Sequence, residues 1–199
     1  PLSPTDGFPP MFDIADVSSS PAFFDVKKLL FVNAEHLRAL SPDALDELSQ
    51  PYLAASPLGA AYAADPANRD RFRALLPEVQ TRVETLSEVP GYVDFLFVDQ
   101  AEVDQKAWDK AMVPDAAAWL DAVIAAAAEW PWEAEVLHER FMALAEELGA
   151  NRRKFQAPVR VALTGRSVGP PLFESMVVLG REAVLARLGA ARERLGAGG

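Results

Sequence analysis

Along most of this chain apolar residues recur every third or fourth position, the spacing of a helix with one buried face. Asp25 is placed to cap a helix reaching about Leu40, with Leu29, Leu30, Val32, Asn33 and Leu37 partly on one side. Ser41-Pro42-Asp43 marks the next start. Serine caps, proline occupies the first helical position, and the acid suits the positive helix end. That helix is expected to run to about Tyr52 and to be followed by a Gly/Ala/Pro-containing link over 56–68. Residues 69–87 carry a stripe of Phe72, Leu75, Leu76, Val79, Val83 and Leu86, with Pro77 as an expected break and Pro90 as a stop. The aromatic segment 91–98 fits a strand or a buried helical turn, which periodicity does not separate. Beyond Val103 the pattern is helical again. Pro114 opens an Ala-rich helix to about Glu129, and Pro131 opens another ending near Gly149. A shorter helix, interrupted near its start by Pro158, covers 155–163. A loop covers 164–171, and one helix with Gly180 as a weak point covers 172–195. Residues 1–22, rich in Pro, Ser and Gly, read as loop or linker, and 196–199 should fray. The expected fold class is all-α, a helical bundle.

Composition narrows this picture. With 199 residues, half of them hydrophobic, the chain can bury a substantial core, and wholesale disorder is excluded. It has no cysteine, which removes disulfides and thiolate metal sites, and only two histidines, His36 and His138. No apolar run approaches the ~20 residues that span a bilayer. No signal peptide is visible and the first residue is Pro1, so the chain reads as a piece of a larger cytoplasmic protein or a processed product.

Charge is uneven. The net charge of −10 argues against nucleic acid, yet residues 151–199 hold nine Lys+Arg against three Asp+Glu, a local +6, while 1–150 carry −16. The alternative to a binding role for this basic end is a solvated helical tail.

The search for chemistry returns little. Gly165-Arg166-Ser167-Val168-Gly169 is the one Gly-rich candidate, and it lacks both a preceding strand and the Gly-Lys-Ser/Thr of a phosphate loop. The abundant carboxylates read as solvated helix faces, and no Ser or Thr has a base paired with it. His36 and His138 read as satisfied or exposed helical residues, and the four tryptophans as core or helix-corner packing. No catalytic residue, cofactor site or metal site is assigned. The segment 158–172 stands apart. Arg160 lies in the otherwise apolar PVRVALTG run, a Gly/Pro-rich loop carries Arg166, and Leu172-Phe173 open the next helix. An arginine half-buried beside a constrained loop suits recognition of bases or phosphates, or else ties helix ends together.

This segment also carries a resemblance. Pro158-Val-Arg160-Val-Ala-Leu-Thr164-Gly165, then Gly-Pro-Pro171-Leu-Phe-Glu174, then Leu179-Gly-Arg-Glu182 resemble the C-terminal anticodon-binding region of bacterial glutamyl-tRNA synthetase. Ser20-Pro-Ala-Phe-Phe-Asp25-Val-Lys-Lys-Leu29 with Phe31-Val-Asn33-Ala-Glu-His-Leu-Arg38, Ser41-Pro-Asp-Ala-Leu45, and Arg82-Val-Glu-Thr85-Leu-Ser-Glu-Val-Pro90 are similar to that family in order and spacing. The resemblance spans residues 12–195.

The resemblance implies a class I aminoacyl-tRNA synthetase that uses ATP and Mg²⁺ to join glutamate to tRNA-Glu. The family's His-Ile-Gly-His-type and Lys-x-Ser-Lys/Arg-type motifs do not occur here, so the chain alone is expected to be inactive in ligation. It implies an end of the stem-contact domain within 1–40 and two helical anticodon-binding subdomains, 41–94 and 95–199. It implies that Arg82 reads the third anticodon base and that Arg160 and Leu172 face the first. Arg166 joins them as an anticodon-binding candidate from its place in the loop. The implied partner is the tRNA-Glu anticodon loop, bound by a monomer. Cytosine presents O2 and N3 as adjacent acceptors, and an arginine offers only donors, so it favours C over U. The chain departs from the family at Phe31, Ala34 and His36, which stand for Trp, Gly and Tyr, and at Gly169, where some relatives carry a polar side chain. The segment holding Arg152, Arg153, Lys154, Arg160 and Arg166 is expected to supply the positive field, with the acidic part facing away. A helical protein-interaction module without RNA binding is the competing reading.

Overall fold

The computed structural model describes residues 24–197, which form helices α1 (Val26–Ala39), α2 (Pro42–Ala55), α3 (Gly59–Ala64), α4 (Ala67–Gln80), α5 (Val89–Val93), α6 (Gln105–Ala111), α7 (Ala116–Ala127), α8 (Ala134–Glu147), α9 (Arg152–Thr164), α10 (Leu172–Leu179) and α11 (Arg181–Ala197). Two short 3-10 turns, Leu86–Glu88 and Asp94–Phe97, complete them, and no strand occurs among the described residues. The all-α class is as the pattern predicts. The linker at 1–22 and the last two glycines lie outside the described residues.

The caps are built as the local sequence dictates. Asp25 accepts from the Lys28 amide at 3.1 Å and Ser41 from the Ala44 amide at 3.2 Å, each satisfying an orphan N–H of a first turn. The Ser41-capped helix runs three residues past the expected Tyr52. The expected link at 56–68 holds a helix of its own, α3, whose Gly59 lets the backbone meet the Ala54 carbonyl where a Cβ would collide. Pro77 does not break α4. Phe72, Leu75, Leu76 and Val79 are all buried around it, and at ~1.5–3 kcal/mol each their burial outweighs the ~3 kcal/mol that a proline costs a helix interior. The helix instead stops at Gln80, and 81–85 turn away. The segment 91–97 is helical, as the end of α5 and the Asp94–Phe97 turn, and Val98 is extended. Pro90 therefore opens a short helix rather than closing a long one. Pro158 likewise leaves α9 continuous, and α9 starts earlier than expected because Asn151 accepts from the Arg153 and Lys154 amides.

The single helix expected over 172–195 is two. Gly180 has φ 83° and ψ 155°, a region open only to glycine, and its amide closes α10 on the Met176 carbonyl. Nothing lies within 4 Å of a Cβ added there, so the constraint is purely one of backbone conformation. Gly180→Ala is expected to cost about 1–3 kcal/mol, read as a lower urea midpoint at unchanged slope.

Two apolar clusters organise the chain. One gathers Leu45, Leu53, Phe72, Leu76, Val93 and Phe95 from α1 to the Asp94–Phe97 turn. The other gathers Leu120, Phe141, Phe155, Leu163, Met176 and Leu188 from α6 to α11. Helix α10 joins them, with Met176 in the second cluster and Val178 packed on the first. Buried Asp46 braces the first cluster by accepting from Arg69 at 2.8 Å and Arg73 at 2.8 Å, tying α2 to α4. Trp108 is buried beneath the Arg194 guanidinium, 4.0 Å above its ring, and Trp132 donates to the Met176 carbonyl at 3.1 Å. Both are packing residues, as the sequence suggests.

Candidate nucleic-acid interface

Arg82 stands on the turn that follows α4. Its amide and that of Val83 both bond the Val79 carbonyl, at 3.0 and 3.1 Å, which swings the chain out of the helix. The turn is braced on three sides. Gln80 donates to the Leu37 and Leu40 carbonyls at the end of α1, each at 2.9 Å. Asn33 of α1 donates to the Glu84 carbonyl. Thr85 donates to Glu88 Oε1 at 2.8 Å, and Glu88 Oε2 accepts from the Glu84 amide at 3.2 Å. Asn33 and Thr85, both within the family-like motifs, thus hold the backbone under Arg82. The Arg82 side chain remains partly open to solvent and donates to Glu78 Oε2 at 2.5 Å, one helical turn back.

Arg160 rises from the middle of α9 and donates through Nη1 to the Pro170 carbonyl at 2.6 Å. This bond pins the 165–171 loop across its helix. Gly165 starts that loop with φ 74°, and its carbonyl accepts from the Asp104 amide at 2.8 Å. A side chain there would strike the Glu102 carbonyl, so glycine is required both by φ and by space. Thr164 donates to the Arg160 carbonyl at 2.9 Å, and Ser175 to the Pro171 carbonyl at 2.6 Å. Leu172 opens α10 with its side chain in the core, only 2% exposed. It supports the loop from beneath rather than offering an apolar surface. Arg166 turns back onto the body, donating to the Gly91 carbonyl and to both carboxylate oxygens of Asp94. It clamps the loop to the segment that carries Tyr92.

Tyr92 draws these pieces together. Its hydroxyl is buried and has no hydrogen-bond partner among the described residues. Burial pushes the phenol above its usual value, with Arg82 and Arg160 pulling it down and Glu78 pushing it up. The group is therefore neutral at pH 7, and its O–H remains a free donor. Burial holds the Arg160 guanidinium below its usual range, and the like charge of Arg82 adds to this, while Tyr92 and Glu174 oppose it. An unsatisfied buried polar atom is uncommon and costs ~1–3 kcal/mol unless water or another group completes it.

The remaining basic residues divide. Arg187 is buried, Arg192 pairs with Asp121 at 2.9 Å, and Arg181 lies over the Trp132 ring at 5.3 Å. Lys110, Arg153 and Lys154 instead line a hollow of about 340 Å³ together with Ser167 of the loop. The expected segregation of acid is incomplete, because Glu78 and Asp94 come from the acidic part and stand among these arginines. Sequence reasoning passed over Glu78 and Tyr92. The i,i+4 spacing of Glu78 to Arg82 is a readable signal, whereas nothing in the sequence marks an orphan hydroxyl. Among the described residues no cluster of three metal-ligating side chains occurs, and no helix is long and apolar enough to cross a membrane.

The class these observations define is an all-α helical domain that carries arginines on two braced turns. Residues 44–192 match the family described as "Anticodon binding domain", and the chain belongs to that family. Curated relatives include the glutamate–tRNA ligase of Frankia alni, 48% identical over 94% of this chain and 39% of its own length. That of Thermobifida fusca is 42% identical, over the whole of this chain and 42% of its own. The chain thus spans about 40% of the length of the curated relatives it matches. A crystal structure of a glutamate tRNA ligase from Elizabethkingia meningosepticum has the same fold, with a TM-score of 0.77 at 24% identity over 92% of this chain and 35% of that one.

Proposed function

We propose that this chain reads the anticodon loop of tRNA-Glu for a cytoplasmic glutamate–tRNA ligase that joins glutamate to its tRNA with ATP and Mg²⁺. The observation that carries this reading is a partly exposed Arg82 guanidinium held on a braced turn, in a member of the anticodon-binding family. RNA specificity is normally read on the exposed edges of unstacked loop bases, and this group supplies donors for such edges. Arg82 faces the third base, a cytosine in every glutamate anticodon. Arg160, already bonded to the Pro170 carbonyl, faces the first, with the Leu172 side chain supporting that surface from the core. Arg166 holds the loop in register through Asp94. Lys110, Arg153 and Lys154 supply charge for the RNA backbone.

Among the described residues, the glycine-rich 165–169 loop does not fit the phosphates of ATP: it follows the C-terminus of α9, the negative end of a helix, whereas phosphate loops use the N-terminus. Ligation is therefore assigned to a site not built from these residues. The competing interaction-module reading has one observation in its favour, the exposure of Leu29 and Phe31 on α1.

The test is binding of anticodon stem-loops at low salt. The cytosine form is expected to bind about 10- to 100-fold more tightly than a form with G at the third position, with affinity falling steeply as salt rises. Equal, salt-insensitive binding of both, or no binding, would leave the interaction module as the better account.

A further inference from the structure

We infer that Glu78 is a specificity-determining residue that accepts a hydrogen bond from the exocyclic amine of the third anticodon base. The Glu78–Arg82 pair then presents to that base the same kinds of group as the edge of a guanine. The inference rests on the anticodon reading proposed above and adds to it a contact made by a carboxylate.

The argument begins with what cytosine offers. Its pairing edge carries two acceptors, O2 and N3, beside one donor, the N4 amine. A lone arginine satisfies the acceptors and leaves the amine unanswered, because a guanidinium has no acceptor. An unpaired amine moved out of water carries a penalty, so a reader built only from arginine would be incomplete.

The structure places the missing acceptor beside the donors. Glu78 and Arg82 lie one helical turn apart, and Arg82 Nη1 donates to Glu78 Oε2 at 2.5 Å, to the Glu78 carbonyl at 3.3 Å and to Thr81 Oγ1 at 3.1 Å. Only Nη1 and Oε2 are consumed. Arg82 Nε and Nη2 and the second carboxylate oxygen of Glu78 have no partner among the described residues. Exposures of 42% and 32% leave both side chains open to a ligand while the ion pair fixes their relation. The pair therefore offers donors next to an acceptor before any base arrives, so little ordering remains to be done on binding.

The pair also rejects the alternatives. Uracil would set O4 against the carboxylate and N3–H against the guanidinium, and guanine would turn its own two donors toward arginine. Uracil at this position marks lysine anticodons, so the carboxylate guards against a neighbour in the code that arginine alone opposes only in part.

The experiment removes the amine from the base. The whole 199-residue chain is titrated by fluorescence anisotropy with stem-loops carrying cytosine, pyrimidin-2-one (cytosine without its exocyclic amine) or guanine at the third anticodon position. Wild type is expected to bind cytosine about tenfold more tightly than pyrimidin-2-one. In Glu78→Ala that gap is expected to vanish while the preference for cytosine over guanine, which depends on Arg82, persists. Glu78→Met, a good helix former without an acceptor, provides a second variant should alanine disturb the turn. Equal binding of cytosine and pyrimidin-2-one by wild type, or a gap that survives in both variants, would overturn the inference and leave the anticodon reading standing. Loss of the cytosine-over-guanine preference in wild type itself would overturn the reading and the inference with it.

Discussion

Arg187→Met should be the most damaging single substitution in the molecule, lowering stability by about 3–5 kcal/mol. Arg187 is 2% exposed, and its guanidinium makes four hydrogen bonds, all to backbone carbonyls. Nη1 donates to Leu163 at 2.6 Å, Nε to Asp99 at 3.0 Å, and Nη2 to Phe95 at 2.8 Å and to Val98. Leu163 lies in the last turn of α9, and the other three close the Asp94–Phe97 turn. One cation therefore neutralises two converging helix ends, each with orphan carbonyls and a negative pole. Burial holds this guanidinium below its usual range, and Asp99 partly restores it. Methionine preserves most of the volume but strands four acceptors. At 2–4 °C per kcal/mol for a chain of this length, the thermal midpoint should fall by roughly 10 °C. Arg187→Lys, with its single ammonium, should recover only part. A loss under about 1 kcal/mol in urea unfolding would show that water replaces the guanidinium and that the two ends do not depend on it.

This arginine also shows where the sequence stops being readable. A structural arginine tying helix ends is a sound expectation for the basic C-terminal part, but nothing local says which arginine it is. Arg160 and Arg187 both sit among apolar neighbours at helical spacing. They differ in what faces them, and three of the four partners of Arg187 lie 88, 89 and 92 residues away in sequence. The caps at Asp25 and Ser41 were legible because donor and acceptor lie within three residues. Pro77 and Pro158 were misread for the opposite reason. Their cost is local and visible, while the burial of Phe72, Val79, Phe155 and Val159 that outweighs it is tertiary. Gly180 fits a helix interior at modest cost and fits the left-handed break equally well, so its residue type could not choose between them.

The candidate interface divides along the same line. Arg82 came from a resemblance alone, and Arg160 stood out by its apolar run, but no spacing rule connects the two, which lie in different parts of the chain. Arg166 and Leu172 were rightly tied to the loop, but their side chains turn inward, one to Asp94 and one to the core. Burial cannot be read from a loop whose path is set by Arg160 and Gly165. Glu78 was one acid among many on helix faces, and only its ion pair with Arg82 separates it from the rest.

Arg82→Ala should remove most of the preference for cytosine over guanine at the third anticodon position, leaving only the part that Glu78 supplies, while the fold stays intact. The substitution removes one exposed i,i+4 ion pair, worth about 0.3–0.5 kcal/mol, so urea unfolding should hardly move. The turn beneath survives because Gln80, Asn33, Thr85 and Glu88 hold its backbone without the guanidinium. What disappears is a pair of donors aimed at cytosine acceptors, a contact worth ~1–3 kcal/mol, or about 5- to 150-fold in relative affinity. The loss should fall almost wholly on the cytosine form. Guanine gains nothing from Arg82 in the wild type and should bind the variant as well or better once the opposing donors are gone. Arg82→Lys keeps the charge but not the planar fork, so it should retain overall affinity and lose most of the discrimination. Parallel weakening of both stem-loops in Arg82→Ala would make Arg82 a phosphate contact, since backbone contacts carry no base information. Collapse of the cytosine form alone would make it the reader of the base that separates tRNA-Glu from tRNA-Gln.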